Sequence, residues 1–191
     1  NLPFYYVMIA PYRRYPIPYS AALVREQQAK VMNFSNTGMI VISDQVDNIN
    51  DIHPRAKKTV GERLANWALG ETYKHNASPK YRHAAFREMK IDKNKIIVSF
   101  DNAEGGLTVK GKDIETLELA GADGIYHPAS GKIDRKTNTL IAESKAVKAP
   151  VNIRFSYSND GVGNLFDASG LPVTPFRTDD FTIDLTPAKK K

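Results

Sequence analysis

The sequence contains no cysteine, which excludes a disulfide framework and a zinc site built from thiolate ligands. None of its apolar runs approaches the ~20 residues that a membrane-spanning helix needs. It also lacks a basic stripe interleaved with aromatic residues, although the formal net charge is +6 and residues 189–191 are all lysine. Because nucleic-acid binding relies on such a stripe, we expect no nucleic-acid partner. The absence of cysteine does not decide the cellular compartment.

The remaining composition is that of a globular protein. Hydrophobic residues make up 41% of the 191 residues and charged residues 25%, which is enough for one large domain or two small ones. The chain begins with Asn1 instead of methionine and opens almost at once on an apolar run at residues 4–10. A core strand at an unprotected terminus leads us to expect that this is the later part of a longer protein.

The first domain that we predict, residues 1–76, alternates strand and helix patterns. Continuous apolar runs at residues 4–10 and 38–42 predict two strands that are buried on both faces, as in a parallel sheet. Helical spacing predicts helices at residues 21–32 and 54–70, with Pro54 in the first turn of the second. This order predicts a piece of a doubly wound α/β sheet, which does not close a sheet by itself.

The second predicted domain, residues 77–191, contains short apolar segments separated by turn-forming residues. This pattern is typical of an antiparallel β-sandwich. The segments that we predict as strands are residues 84–89, 95–100, 107–110, 115–119, 132–134, 139–143, 151–157 and 181–185. The boundary is expected within residues 73–81, where Asn76, Ser78 and Pro79 form a short connector.

The most polar loop of the first domain reads Asp-Gln-Val-Asp-Asn-Ile-Asn-Asp-Ile-His-Pro at residues 44–54. It lies between a predicted strand and a predicted helix, where α/β proteins usually place their chemistry. His53 has a carboxylate, Asp51, two residues before it and Pro54 directly after it. Two interpretations are open: a catalytic pair, or an Asp51 that caps the next helix beside an ordinary loop histidine.

Six stretches spread over nearly the whole chain resemble one enzyme family. They are Pro-Phe-Tyr-Tyr-Val-Met-Ile-Ala-Pro-Tyr at residues 3–12, Val-Arg-Glu-Gln-Gln at 24–28, Asn-Thr-Gly-Met at 36–39, Asp-Ile-His-Pro-Arg at 51–55, Val-Gly-Glu-Arg-Leu-Ala at 60–65 and Gly-Leu-Pro-Val-Thr-Pro-Phe-Arg-Thr-Asp at 170–179. Together they resemble the C-terminal part of the sialate O-acetylesterases, relatives of the SGNH (GDSL-like) hydrolases. The resemblance implies the C-terminal portion of an SGNH-type, flavodoxin-like three-layer α/β/α domain, followed by the antiparallel β-sandwich.

The resemblance also implies a function, a serine esterase that removes O-acetyl groups from sugars, usually from sialic acid. In that family the nucleophilic serine lies in an early Gly-Gln-Ser-like motif, and the catalytic histidine lies in the late Asp-Ile-His-Pro segment. Here His53 is present and the serine motif is absent. We therefore expect this chain to be inactive alone and to work with the N-terminal portion of the same enzyme. The family implies no cofactor, and an exported protein (periplasmic, secreted or lysosome-like) whose signal peptide lies outside this chain.

The group that orients His53 remains open at this stage. Many SGNH relatives carry an aspartate three residues before the histidine, but here that position is Asn50 and the carboxylate belongs to Asp51. Either Asp51 turns toward the ring, or a main-chain carbonyl near Asn50 holds it while Asp51 caps the helix. Arg25 and Gln28 match a family stretch and are expected to reach a sugar or its carboxylate; the alternative is a helix-surface position for both.

Other polar residues have weaker claims to a function. Asp44 and Asp47 with His53 resemble metal ligands only loosely, because hard-cation loops carry a denser set of oxygens and a glycine turn. Arg177, in the last matching stretch, is open between an ion pair and a binding role. The other histidines lack acidic or serine neighbours in the sequence, so surface or connector positions are expected for His75, His83 and His127. A non-catalytic alternative also stands, in which the β-rich part is a carbohydrate-binding or interaction module.

Overall fold

Parallel pairing near the start of the chain and antiparallel pairing in the remainder distinguish two parts of the structure. The computed structural model describes residues 2–75 and 80–186. Within them the elements are β1 (Phe4–Val7), α1 (Ser20–Val31), β2 (Thr37–Ile40), α2 (Lys57–Trp67), β3 (Ala85–Asp92), β4 (Lys95–Asp101), β5 (Leu107–Val109), β6 (Leu117–Ala120), β7 (Tyr126–Pro128), β8 (Ser130–Asp134), β9 (Thr139–Glu143), β10 (Asn152–Phe155), β11 (Leu165–Asp167) and β12 (Phe176–Arg177). A 3₁₀ turn, Ser43–Gln45, follows β2, and a π-helical turn, Ala68–Thr72, follows α2.

Strands β1 and β2 form a two-stranded parallel sheet with a helix against each face. Successive side chains of a strand point to opposite faces. On one face Ile40 packs with Trp67 of α2. On the other face Met39 packs near Met32, which directly follows α1. The apolar runs that the sequence marks as strands therefore do form the parallel pair, although each strand is shorter than its run.

The run at residues 4–10 was expected to be buried on both faces, and this is wrong at its start. Phe4 is 61% exposed, and the rest of β1 is half-buried. The physical reason is that β1 pairs with β2 alone among the described residues, so one edge of β1 has no neighbouring strand.

The β-rich part contains two four-stranded antiparallel sheets, ordered β3-β4-β9-β8 and β12-β10-β6-β7, and the separate pair β5–β11. Neither sheet closes on itself. Buried residues of both sheets share one core, for example Val98 and Leu140 from the first sheet and Leu119 and Ile153 from the second. Two sheets that enclose a common core are consistent with a β-sandwich.

Most predicted strands of this part are present, and β9 coincides with its predicted range. Residues 181–186 have no regular structure, so the strand predicted at residues 181–185 is wrong. Strands β7, β11 and β12 were missed because each has only two or three residues, too few to display alternation. The connector Asn76, Ser78 and Pro79, and with it the predicted boundary after residue 76, lies outside the described residues.

Polar contacts fix α1 on the β-rich part. Arg177 Nε lies 2.8 Å from Glu26 Oε2, so Arg177 takes part in an ion pair between the two parts. Asn159 Oδ1 accepts the main-chain N–H of Ala21 at 2.9 Å, and Asn159 Nδ2 donates to the carbonyl of Ile17 at 2.8 Å. These contacts hold α1 and the segment before it against the β-rich part. In the described part of the chain, no helix has the length and apolar character needed to cross a membrane.

Candidate active site

The loop that follows β2 lies at the carboxyl end of the parallel pair. Parallel strands end at the same edge of a sheet, and this edge is where open α/β sheets bind their ligands. The predicted helix start at Pro54 is wrong: Pro54 is buried within the loop, and α2 begins only at Lys57. Ala56 precedes the first helical residue and makes no side-chain capping bond. Asp51 therefore does not cap the helix, and the polar loop is longer than predicted.

Asp51 instead contacts His53 twice. Its Oδ1 accepts the His53 main-chain N–H at 3.0 Å and lies 3.3 Å from His53 Nδ1. The main-chain hydrogen bond, followed by the contact with the ring, holds the pKa of Asp51 below its usual value. A charged carboxylate beside Nδ1 favours the tautomer that carries its proton there, which leaves Nε2 free to act as a base.

The backbone before His53 turns Asp51 toward the ring. The Asp51 N–H donates to the Asn48 carbonyl at 3.0 Å, and the Asn50 N–H donates to Asn48 Oδ1 at 3.0 Å. Of the two orienting groups that the sequence left open, Asp51 is the one in contact with Nδ1. The separation of 3.3 Å is long for a hydrogen bond, as is common at catalytic groups without substrate. The catalytic roles of His53 and Asp51 stay predictions.

The His53 ring lies at the surface of the described structure, with a side chain that is 81% exposed. Among the residues described, its hydrogen-bonding and ionic contacts are with Asp51, and no serine hydroxyl bonds to it. The arrangement is therefore an exposed imidazole with an oriented Nδ1. Such a group can accept a proton through Nε2 from a hydroxyl brought close to it.

Arg25 and Gln28, the predicted substrate-binding residues, both bond to the main chain of this protein. Gln28 Nε2 donates to the carbonyl of Val7, the last residue of β1, at 3.1 Å, and its Oε1 accepts the N–H of Ile9, just beyond β1, at 2.9 Å. Arg25 is only 2% exposed and donates to the carbonyl of Ser158, and burial lowers the pKa of Arg25 to about 10. Neither side chain is therefore free on the helix surface. Contact with a substrate stays a prediction for both.

The acidic residues at the start of the loop pair with arginines. Asp44 Oδ1 and Oδ2 each accept a bond of 2.7 Å from Arg63, and Asp47 Oδ2 lies 3.5 Å from Arg55 Nε. Burial alone would raise the pKa of Asp44, but the bonds and charge of Arg63 outweigh it and keep that pKa low. Across residues 2–75 and 80–186, no three histidine, aspartate or glutamate side chains come together as metal ligands.

His83 was expected at the surface or in a connector, and this is wrong, because it is 6% exposed. Its Nε2 accepts the Val41 N–H at 3.1 Å, directly after β2, and its Nδ1 donates to the Pro172 carbonyl at 2.9 Å. A ring that accepts at Nε2 and donates at Nδ1 is neutral. Burial lowers the pKa of His83 to about 4. No feature of the sequence indicated that His83 links two main-chain groups in the interior. Its partners, Val41 and Pro172, lie 42 and 89 residues away along the chain.

This shifted pKa predicts a stability that depends on pH. In the unfolded chain His83 takes up a proton near pH 6.5, whereas in the folded chain it stays neutral until about pH 4. The unfolded state thus binds more protons between these values, and the free energy of unfolding falls as the pH falls from 6.5 to 4. At about 1.4 kcal/mol per pKa unit, the loss approaches ~3 kcal/mol. Urea unfolding at several pH values, with His83→Gln as the reference, measures it; equal pH slopes in both proteins would refute it.

Comparison with known proteins shows that the chain is similar in structure to part of an esterase. No protein-family model matches the sequence, and no curated protein does. Among solved structures, the chain is similar to the crystal structure of a novel carbohydrate acetylesterase from Xanthomonas citri, with 34% sequence identity and a TM-score of 0.82. The match covers 94% of this chain and 41% of that protein, so the chain spans less than half the length of the protein it matches. It has the fold of one portion of a carbohydrate acetylesterase, which confirms the predicted esterase relationship at this level.

Proposed function

We propose that this chain is the C-terminal part of a serine-type carbohydrate esterase, similar to the sialate O-acetylesterases, that removes O-acetyl groups from sugars. The observation that carries the proposal is the similarity, over 94% of the chain, to a carbohydrate acetylesterase. The contact between Asp51 and His53 at the carboxyl end of the parallel strands supports it. In the proposal the first part of the chain completes an SGNH-type α/β/α domain, whose other strands lie upstream.

The proposed mechanism gives His53 the role of general base and then general acid. A serine hydroxyl from the upstream portion loses its proton to His53 Nε2 while its oxygen attacks the acetyl carbonyl. The tetrahedral intermediate collapses, the ester C–O bond breaks, and the leaving sugar oxygen takes the proton from Nε2. Water then attacks the acetyl-enzyme with the same assistance and releases acetate and the serine. Asp51 holds the Nδ1 proton throughout and stabilises the imidazolium.

The partner in this proposal is the N-terminal portion of the same enzyme. Among the described residues β1 pairs with β2 alone, so its other edge has no neighbouring strand, and Phe4, the first residue of β1, is 61% exposed. A strand edge without a neighbour can pair with a strand from another segment, and exposed apolar side chains often mark such a contact surface. A strand from the upstream portion that pairs with β1 would cover them and bring the serine to the same sheet edge as His53. Export of the complete enzyme belongs to the same proposal.

The substrate in this proposal is an O-acetylated sugar, with sialic acid as the first candidate. The proposal assigns substrate contact to Arg25 and Gln28, which lie near the end of β1. Their observed bonds to main-chain carbonyls and an N–H would have to be exchanged before either contacts a sugar. Their first contribution is therefore to hold the end of β1 and the segment at Ser158.

A non-catalytic role in carbohydrate binding is the second candidate, and one feature favours it. A cavity of about 600 Å³ lies between α1 and the β-rich part, lined by Phe86, Phe176, Arg82 and Asp101 among others. The rings of Phe86 and Phe176 stack at 5.1 Å. Aromatic rings beside charged groups are a common lining of ligand sites.

Acetate release separates the two candidates. The full-length protein should release acetate from O-acetylated sialic acid or another acetylated sugar, because it holds both the nucleophile and His53. Residues 1–191 alone should release none above the buffer rate, because without the serine no acetyl-enzyme forms. The measurement is enzymatic quantification of acetate over a panel of acetylated sugars. Binding of those sugars by the full-length protein without acetate release would contradict the esterase and favour the binding role.

A further inference from the structure

An arginine with a largely buried side chain anchors the beginning of the loop that carries His53. Arg63 lies on α2, and its side chain is 10% exposed. Its Nη1 and Nη2 each donate to one oxygen of Asp44 at 2.7 Å, and its Nη1 also donates to the Val41 carbonyl at 2.7 Å. A two-pronged arginine–carboxylate pair fixes orientation as well as distance. One side chain thereby holds both the end of β2 and the first turn of the loop.

A residue of the β-rich part, His83, also holds Val41. The Val41 N–H donates to His83 Nε2 at 3.1 Å, and His83 in turn bonds to the Pro172 carbonyl. Val41 is therefore held at its N–H by His83 and at its carbonyl by Arg63. Farther along the loop, the Ile49 carbonyl accepts the Arg13 N–H at 2.9 Å.

At the end of the loop Pro54 is buried, whereas the ring of the preceding residue, His53, is exposed. His53 is 81% exposed, and its contacts among the described residues are with Asp51, which belongs to the same turn. Core packing therefore does not fix the ring. Its position relative to the sheet depends on the buried Pro54 beside it and on the anchors at the beginning and middle of the loop. Of these anchors, Arg63 makes the largest number of charged bonds.

We propose that Arg63 is a positioning residue for the reaction of His53: by fixing Asp44 and Val41 it sets where the loop presents the imidazole. This inference rests on the proposed esterase function. Loss of the anchor would let the loop shift, and a displacement of about 1 Å at a catalytic group can cost on the order of 100-fold in rate. Substrate binding, which does not depend on the place of the imidazole, would change little.

The test uses the full-length enzyme with Arg63→Gln, Arg63→Lys and the control Arg154→Gln. Arg154, on β10, forms a comparable buried pair with Asp179 at 2.8 and 2.9 Å, and its hydrogen bonds among the described residues do not reach residues 44–54. Reactive sites are counted with a fluorophosphonate, and kcat per site, KM and Tm are measured with an acetyl ester. We expect Arg63→Gln to lower kcat per site roughly 10- to 100-fold at nearly constant KM. Arg63→Lys, which keeps the charge but not the fork, should fall between Arg63→Gln and the wild type.

Arg154→Gln should lower Tm while its kcat per site stays that of the wild type. Equal losses of kcat per site in the Arg63 and Arg154 variants would overturn the positioning role, because the cause would then be general instability. Wild-type kcat per site in Arg63→Gln would overturn it as well. If Arg63→Gln does not fold, Arg63→Lys decides in the same way. His53→Ala, assayed in parallel, distinguishes a failure of the positioning role from a failure of the proposed esterase function. If His53→Ala keeps full activity, the proposed function itself fails.

Discussion

Replacing His53 by alanine in the full-length protein will lower kcat by roughly 10⁴- to 10⁶-fold, because a triad histidine and its serine act as one unit. In the proposed mechanism, loss of the imidazole leaves no group to take the proton from the serine hydroxyl and none to return it to the leaving sugar oxygen. The His53 side chain is 81% exposed, and its ionic contact among the described residues is with Asp51 of its own turn, so the substitution leaves no cavity in the core. Initial rates of acetate release over a range of substrate concentrations measure kcat and KM separately.

His75→Ala is the matched control. His75 is another exposed histidine of the same part of the chain, and it follows the π-helical turn instead of the loop after β2. We expect wild-type kcat and KM from this variant. A kcat for His53→Ala within tenfold of the wild type, with Tm unchanged, would contradict the assignment of His53 as the base.

Asp51→Asn should give the second-largest loss, roughly 10⁴-fold in kcat, as is typical when the orienting carboxylate of a triad becomes an amide. In the proposed mechanism the carboxylate oxygen that lies 3.3 Å from His53 Nδ1 accepts the ring proton, whereas an amide can present its NH₂ group and favour the other tautomer. Because Asp51 does not cap α2, little of the loss should come from a weakened helix. Steady-state kinetics with the same acetylated sugar measure the effect.

Two substitutions at neighbouring positions serve as controls for Asp51→Asn. Asp47→Asn removes an exposed carboxylate that lies 3.5 Å from Arg55, and we expect it to leave kcat near the wild-type value. Asn50→Asp adds a carboxylate where many SGNH relatives carry one, and it should be tolerated. Near wild-type turnover of Asp51→Asn would assign the orienting role to a main-chain carbonyl and leave His53 as the base.

The elements of the first part could be predicted because their pattern is local. Apolar runs predicted the two parallel strands, and helical spacing predicted α1 and α2. The start of α2 was misplaced because Pro54 suits a first helical turn, yet here it is buried in the loop. The exposure of Phe4 was missed, since a local pattern does not report how many strands flank β1.

In the candidate site, too, the local features could be predicted from the sequence and the long-range contacts could not. Asp51 and His53 are two residues apart, so the sequence reveals their proximity. Arg63 and His83 could not be recognised, because each acts on a main-chain group of Val41, 22 and 42 residues away along the chain. In the sequence, Arg63 is one of several charges on a helix, and His83 stands beside no acid. Only the packing of α2 and the β-rich part against the end of β2 assigns them a role.

Active-site labelling tests the central claim most directly, that His53 activates a serine supplied by another portion of the same enzyme. The full-length protein and its His53→Ala variant are treated with a fluorophosphonate, and the modified residue is located by peptide mass spectrometry. The proposed function predicts one modified serine, outside residues 1–191, with a labelling rate that is lower in His53→Ala by roughly 100-fold or more, since the same base activates the serine toward both the ester and the fluorophosphonate. A modified serine within residues 1–191, or equal labelling rates in the two proteins, would contradict it.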